Sequence, residues 1–337
     1  MHALAVILIL LGVLAMAGHA VAQRFVLRES ILTKSEMLVL QNLIAACFLF
    51  GTLPFWEEFG TTHTDNTRLF WIAILGTTVA NVAIQWANAH ARELADASLT
   101  APIQAMTPML VTIAAVTIGE YPSALGITGI LLISLGTYIH MREKATTLRE
   151  YVRPFQAFAL PANFIALSDA DRKQALRDRK ALGFAYLSAV CGTVGLIFDG
   201  LVVRSGNVAL GFGVQLVLLT TVFSLVHIIT TKTGVSPSTP FRVRIREHGM
   251  VVVGVGVLYG LHVIFIMTAF RLAPIAYVGS LKRLSIIATI FLSWIILKEA
   301  KALKRLWPAA IITAGAMFLV FDPSVSSIVA AAHEALR

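Results

Sequence analysis

The chain has 337 residues, of which 57% are hydrophobic and only 13% charged, about half the charged share of a soluble domain. Its mean hydropathy is +0.80, and apolar runs of about 20 residues, the length that crosses a bilayer core of about 30 Å, recur from end to end. A water-soluble globular protein, a disordered chain and a disulfide scaffold are excluded. The formal net charge of +9 sits in the gaps between apolar runs, which marks membrane orientation and not nucleic-acid binding, since no basic stripe interleaves with exposed aromatics.

Ten helical spans are expected, and long continuous runs of this kind exclude a membrane β-barrel. The first, 3–22, ends in Ala20-Val21-Ala22, which resembles a signal-peptidase site. No Lys or Arg precedes it, and Arg24, Arg28 and Lys34 follow, so a retained helix is expected. After 36–55, the third span, 69–90, carries Asn81, Gln85 and Asn88 on one helical face. They suit either a cavity wall or helix–helix hydrogen bonds. The fourth span, 96–118, holds Gln104 and Thr107 between Pro102 and Pro108, each of which removes a backbone donor. That arrangement suits a binding bend or a packing kink. The fifth span, 122–140, follows Glu120, a helix-boundary carboxylate suited to exposed backbone N–H groups.

Between the halves lies a basic polar linker, 141–180, in which Ser168 and Asp169 suit the start of a short helix over Asp171–Lys180 that leads into the sixth span. Its Phe155–Leu167 stretch suits a membrane surface. The spans 182–203, 208–231, 249–270, 274–297 and 305–321 follow, then a tail, 322–337. Tyr259 and His262 of the eighth span are candidate substrate contacts. His19, His227 and His262 suit either a proton site or a neutral hydrogen-bonded core position; His19 and Asp199 are the proton-coupling or ion-pair candidates. Cys47 and Cys191 lie in apolar runs and read as packing residues. No His/Cys/Asp spacing suggests a metal, and no cofactor is implied.

Counted loop by loop, 21 Lys and Arg face one side and four the other, with Lys282 and Arg283 inside the ninth span. The positive-inside rule then puts the linker and loop 7–8 in the cytoplasm and both termini outside, at a cell membrane. A shift of 179 residues aligns Arg92 with Arg271, Ala97 with Ala276, Glu120 with Glu299 and Gly136 with Gly315. Spans three to five then match spans eight to ten. Five spans per half invert the second half relative to the first. The fold class expected is an all-α membrane protein of ten transmembrane helices in two inverted five-helix repeats, 1–140 and 181–321.

The stretch Ala95 to Ile139, with Ala101-Pro102, Thr107-Pro108, Ile118-Gly119-Glu120, Gly126 and Gly136, resembles the signature half of EamA-type members of the drug/metabolite transporter superfamily. Leu272-Ala273-Pro274 through Lys298-Glu299 to Gly315 reads as a second copy. The resemblance implies ten helices in two inverted halves and movement of small metabolites or amino acids. The long basic linker departs from the family pattern, as does the outside placement of the termini.

A secondary transporter working by alternating access is therefore the leading function, with a small-molecule substrate and the lipid bilayer as partners. The alternative is a lipid-head-group translocase of the same fold. No enzyme is expected, because HExxH, GxSxG and paired-carboxylate patterns are missing. Glu299, like Glu120, reads as a helix-boundary residue. Lys282 and Arg283 are the sharpest signal: at 1.5 Å per residue, Lys282 lies about 12 Å into a continuous ninth helix starting at Pro274. A cation there needs compensation. An anionic substrate, an ion pair with Asp199, or snorkelling toward the outer surface would each supply it.

Overall fold

The computed structural model describes residues 1, 3–57, 67–94, 103, 105–141, 168–231, 241–297 and 307–335. Among them every regular element is helical: α1 (Ala3–Arg28), α2 (Lys34–Gly51), α3 (Thr67–Leu94), α4 (Thr107–Ala115), α5 (Ala124–Met141), α6 (Asp169–Ser205), α7 (Val208–Thr231), α8 (Phe241–Leu272), α9 (Ile275–Leu281), α10 (Leu284–Leu297), α11 (Trp307–Val320) and α12 (Val325–Ala335), with short turns at Leu53–Glu57 and Val116–Ile118. Eight stretches are long and apolar enough to cross a membrane, α9 and α10 counting as one; Thr107–Ile118 and Trp307–Val320 are shorter apolar helices.

Local chemistry sets several boundaries. Thr33 and Glu36 form a capping box at α2: the Thr33 hydroxyl accepts the Glu36 N–H at 3.3 Å, and the Glu36 carboxylate accepts the Thr33 N–H at 2.8 Å. The two side chains satisfy donors that a helix start leaves unpaired. Asn207 caps α7 through the Leu210 N–H at 3.0 Å. Ser168 caps α6 through the Asp171 N–H at 3.2 Å. The helix expected over Asp171–Lys180 leads into the sixth span, and the two are one element. From Asp169 the helix runs unbroken for 37 residues to Ser205, since nothing between Lys180 and the sixth span interrupts it. Arg271, at the end of α8, donates from Nε to the Val203 carbonyl at 3.0 Å and from Nη2 to that of Gly206, satisfying free carbonyls at the end of α6.

The ninth span is also not the continuous helix expected. It breaks at Lys282–Arg283, where the Arg283 N–H reaches back three residues to Ser280 at 3.0 Å. The physical reason lies just upstream: Gly279 and Ser280 are a pair prone to kinking, and the Ser280 hydroxyl donates to the Ala276 carbonyl at 2.7 Å, a back-bond that bends helices. The fourth span is interrupted as well, with Ala105 and Met106 in a turn before α4 and the Met106 N–H on the Ile103 carbonyl at 3.1 Å.

The chain forms two compact units: 1–78, 198–274 and 284–303 make the first; 79–197, 275–283 and 304–337 make the second. Each draws on both sequence halves. In the first, α1 packs on α8 and α10, and α2 on α7 and α8. Gly256 and Gly260 of α8 allow the approach of α2: a Cβ would lie 2.5 Å from Ile44 Cβ and 2.7 Å from Phe48 Cδ1, respectively.

In the second unit α5 packs on α11 and α4 on α9. The α5–α11 contact repeats itself with the partners exchanged. A Cβ on Gly136 would meet Ile312 and the Pro308 carbonyl, and one on Gly315 would meet Ile133 and the Gly129 carbonyl. A shift of 179 residues converts each set into the other.

Candidate functional site

The second unit holds the cations. The half-helix α9 that leads to them is buried except at Gly279, with Ile275, Ala276, Tyr277, Val278 and Ser280 fully inaccessible. Lys282 and Arg283 follow in the turn, half-buried. At the other end of α9, both oxygens of the buried Glu120 carboxylate accept the Ile275 N–H, at 2.9 and 3.0 Å. Glu120 reaches this position because Gly119, with φ of 78°, ends the preceding turn in the left-handed conformation that glycine adopts without steric cost. The carboxylate thus serves α9, which is remote in sequence.

Two residues on, the Tyr277 hydroxyl donates to Asp322 Oδ2 at 2.5 Å. Ser123 donates to the same oxygen at 2.6 Å. Ser324 supplies its N–H and hydroxyl to Asp322 Oδ1 at 2.9 and 2.6 Å. Burial pushes the Asp322 carboxyl up, but the hydrogen bonds from Ser123, Ser324 and Tyr277 outweigh it and hold the group below its ordinary value.

Of the other candidates in this unit, Asn81 and Asn88 are half-buried and Gln85 is exposed. Thr107 is buried against α6: its Cγ2 and Ile84 Cδ1 both lie 3.9 Å from where a Gly192 Cβ would sit. The structure therefore brings the third and fourth spans together on α6. Ala105, Met106, Met109, Leu131, Ser134, Leu135 and Tyr138 line an apolar cleft of about 420 Å³ between the fourth and fifth spans. Gln104, Glu299 and most of the 141–180 linker lie outside the described residues.

The first unit gathers the remaining candidates into two groups. Asp199 is buried and its Oδ1 accepts the Thr77 hydroxyl at 2.5 Å; the Gln215 amide donates to the Thr77 oxygen at 3.0 Å. Tyr259 lies within electrostatic reach of Asp199 and its ring sits 5.1 Å from that of His19. The histidines join α1 to α8: His19 Nδ1 lies 3.1 Å from the Val255 carbonyl and His262 Nδ1 lies 2.9 Å from that of Gly12. Since a carbonyl only accepts, Nδ1 carries the proton in both rings. His227 Nδ1 lies 2.8 Å from the Ser35 hydroxyl.

Sequence reasoning missed Thr77, Gln215, Tyr277 and Asp322, and the burial of Arg244. Thr77 and Gln215 are polar residues inside apolar runs, and that was the available signal. Tyr277 and Asp322 had none, because 45 residues separate them. Arg244, counted among the basic loop residues, is in the first turn of α8 and buried. It pairs with Glu36 at 2.8 Å and donates to the Ile31 carbonyl at 2.7 Å. Among the described residues no group of three or more His, Cys, Asp and Glu side chains is placed to hold a metal.

Helices of this length and composition, with polar groups paired inside apolar spans, define a multi-pass membrane protein. Residues 3–142 match the model of the EamA-like transporter family, so the EamA-type resemblance read from the sequence is shown over that stretch. A solved structure, titled only a crystal structure of a protein, shares the fold with a TM-score of 0.59 at 15% identity, over 91% of this chain and 95% of that one. No curated protein matches the chain.

Proposed function

We propose that the protein is a secondary transporter of a small anionic metabolite, built as two inverted five-helix repeats and working by alternating access. The observation that carries this reading is the break in the ninth span at Lys282–Arg283. Irregular backbone at membrane depth is tolerated where it is buried in protein or lines a cavity. Intramembrane cations mark substrate pathways, and discontinuous helices form the binding sites of many secondary transporters. Two observations support the repeat: the interruptions in the fourth and ninth spans, and the exchange of contacts between α5 and α11.

The test is Lys282→Gln and Arg283→Gln in proteoliposomes, assayed with labelled sugar phosphates, dicarboxylates, amino acids and neutral sugars. One variant should fold normally and lose anion uptake. If instead a variant is unstable and Asp199→Asn restores it, the cation is an internal partner of Asp199. Normal transport by both variants overturns both readings. The orientation is checked separately: cysteines introduced at Glu150 and Val243 should resist labelling from outside intact cells, as the excess of 21 over four basic residues requires.

A second reading, a lipid-head-group translocase of the same fold, is supported by the apolar cleft of about 420 Å³, which suits an acyl chain. Lipid scrambling measured in the same vesicles separates the two.

A further inference from the structure

We infer that Glu120 and the Tyr277–Asp322–Ser123 network are positioning residues that set where Lys282 and Arg283 stand. The inference rests on the anion-binding role of these cations proposed above. The half-helix α9 has only seven residues, and a helix so short has little stability of its own. Its position must come from what grips it. Beside its packing on α4 and α5, two polar grips act on its first turn: Glu120 holds the Ile275 N–H with two carboxylate oxygens, and Asp322 holds the Tyr277 hydroxyl.

The second grip needs a passage across α5, and Gly126 provides it. A Cβ there would lie 1.7 Å from the Tyr277 hydroxyl oxygen, so no other residue lets the phenol through. Ser123 completes the arrangement by joining three elements. Its hydroxyl donates to Asp322 and accepts the Gly126 N–H at 3.0 Å, and its own N–H points at the Tyr277 oxygen at 3.4 Å. The start of α5, the segment after α11 and the first turn of α9 are thereby tied at one point.

The charges agree with the geometry. The Glu120 carboxylate lies at the N-terminal end of α9 and two cations follow its C-terminal end, each the sign that its end of a helix favours. With the first turn anchored, Lys282 and Arg283 are carried at a fixed distance and rotation from Glu120 and Asp322. Loosening either grip should displace the cations while leaving α10, beyond the break, where it is.

The experiment reads position without needing the substrate. In a chain with Cys47 and Cys191 replaced by alanine, Lys282→Cys reports on the turn and Ser285→Cys on the first turn of α10. Each is reacted with a negatively charged methanethiosulfonate in proteoliposomes, with and without Tyr277→Phe or Glu120→Gln. The expected result is at least a fivefold change in the rate at position 282 with the rate at 285 within twofold. If neither rate moves, or if both move together, the inference is overturned. Should Lys282→Cys fail to fold, Arg283→Cys carries the same measurement. Tyr277→Phe, which removes one hydroxyl and keeps the ring, stands in if Glu120→Gln is unstable. Failure of the anion reading would appear elsewhere, as normal transport by Lys282→Gln and Arg283→Gln, and would leave the labelling result intact.

Discussion

The buried ion pair between Arg244 and Glu36 offers a quantitative check on the packing of the first unit. The side chains are 8% and 11% exposed and meet twice, Nη2 on Oε1 at 2.8 Å and Nη1 on Oε2 at 3.0 Å, while Nη1 also donates to the Ile31 carbonyl. Glu36→Gln removes the charge but keeps an oxygen for the Thr33 N–H, so the capping box is spared and the change isolates the pair. A buried guanidinium deprived of its carboxylate costs about 3–5 kcal/mol, or roughly two to three powers of ten in the folded population at about 1.4 kcal/mol each. Adding Arg244→Met removes the stranded charge. The Ile31 carbonyl is then left short, at about 1–3 kcal/mol. The double variant should therefore be more stable than Glu36→Gln alone. Denaturant titration in detergent micelles, followed by the loss of helical circular dichroism, measures all three. A loss below about 1 kcal/mol for Glu36→Gln, the value of a solvated surface pair, would refute the reasoning.

Other expectations follow from single contacts. Gly136→Leu and Gly315→Leu should destabilise by similar amounts, about 1–3 kcal/mol of overpacking or more, because each would press on the same kind of partner across α5 and α11; thermal unfolding of the two variants side by side checks the equivalence. Thr77→Val strips Asp199 and Gln215 of a shared partner and should cost about 1–3 kcal/mol, more than Thr313→Val, whose hydroxyl bonds only its own helix. Asp322, with its carboxyl held below the ordinary value, binds fewer protons folded than unfolded in the acid range. Its contribution is therefore complete above the ordinary carboxylate value and disappears as pH falls through the folded one. Asp322→Asn should lower stability at neutral pH and flatten the acid decline, both visible in unfolding curves taken from pH 7 down to about pH 3.

Much of the architecture was legible in the chain itself. Apolar run length and composition are local quantities, and they placed α2, α3, α5 and α7 to within a few residues; α1, α6 and α8 continue into polar sequence beyond the expected bounds, and the described helix of the fourth span begins only at Thr107. Capping chemistry is local too: Ser168 was visible as a helix start because its partner lies three residues away. The tertiary structure alone decided the partners of the buried polar groups. Glu120 reads in sequence as the boundary of its own helix, but in the fold its carboxylate grips Ile275, 155 residues on. Tyr277 meets Asp322 only because α5, α9 and the end of α11 converge. Arg244 looked like one more loop charge until α2 brought Glu36 beside it. The break at Lys282–Arg283 involves no proline and escaped a reading based on hydropathy, which is blind to a serine hydroxyl bonding its own helix. Periodicity states which residues a helix buries; which distant donor meets which buried acceptor depends on how the helices are arranged in space, and no local pattern in the sequence encodes that.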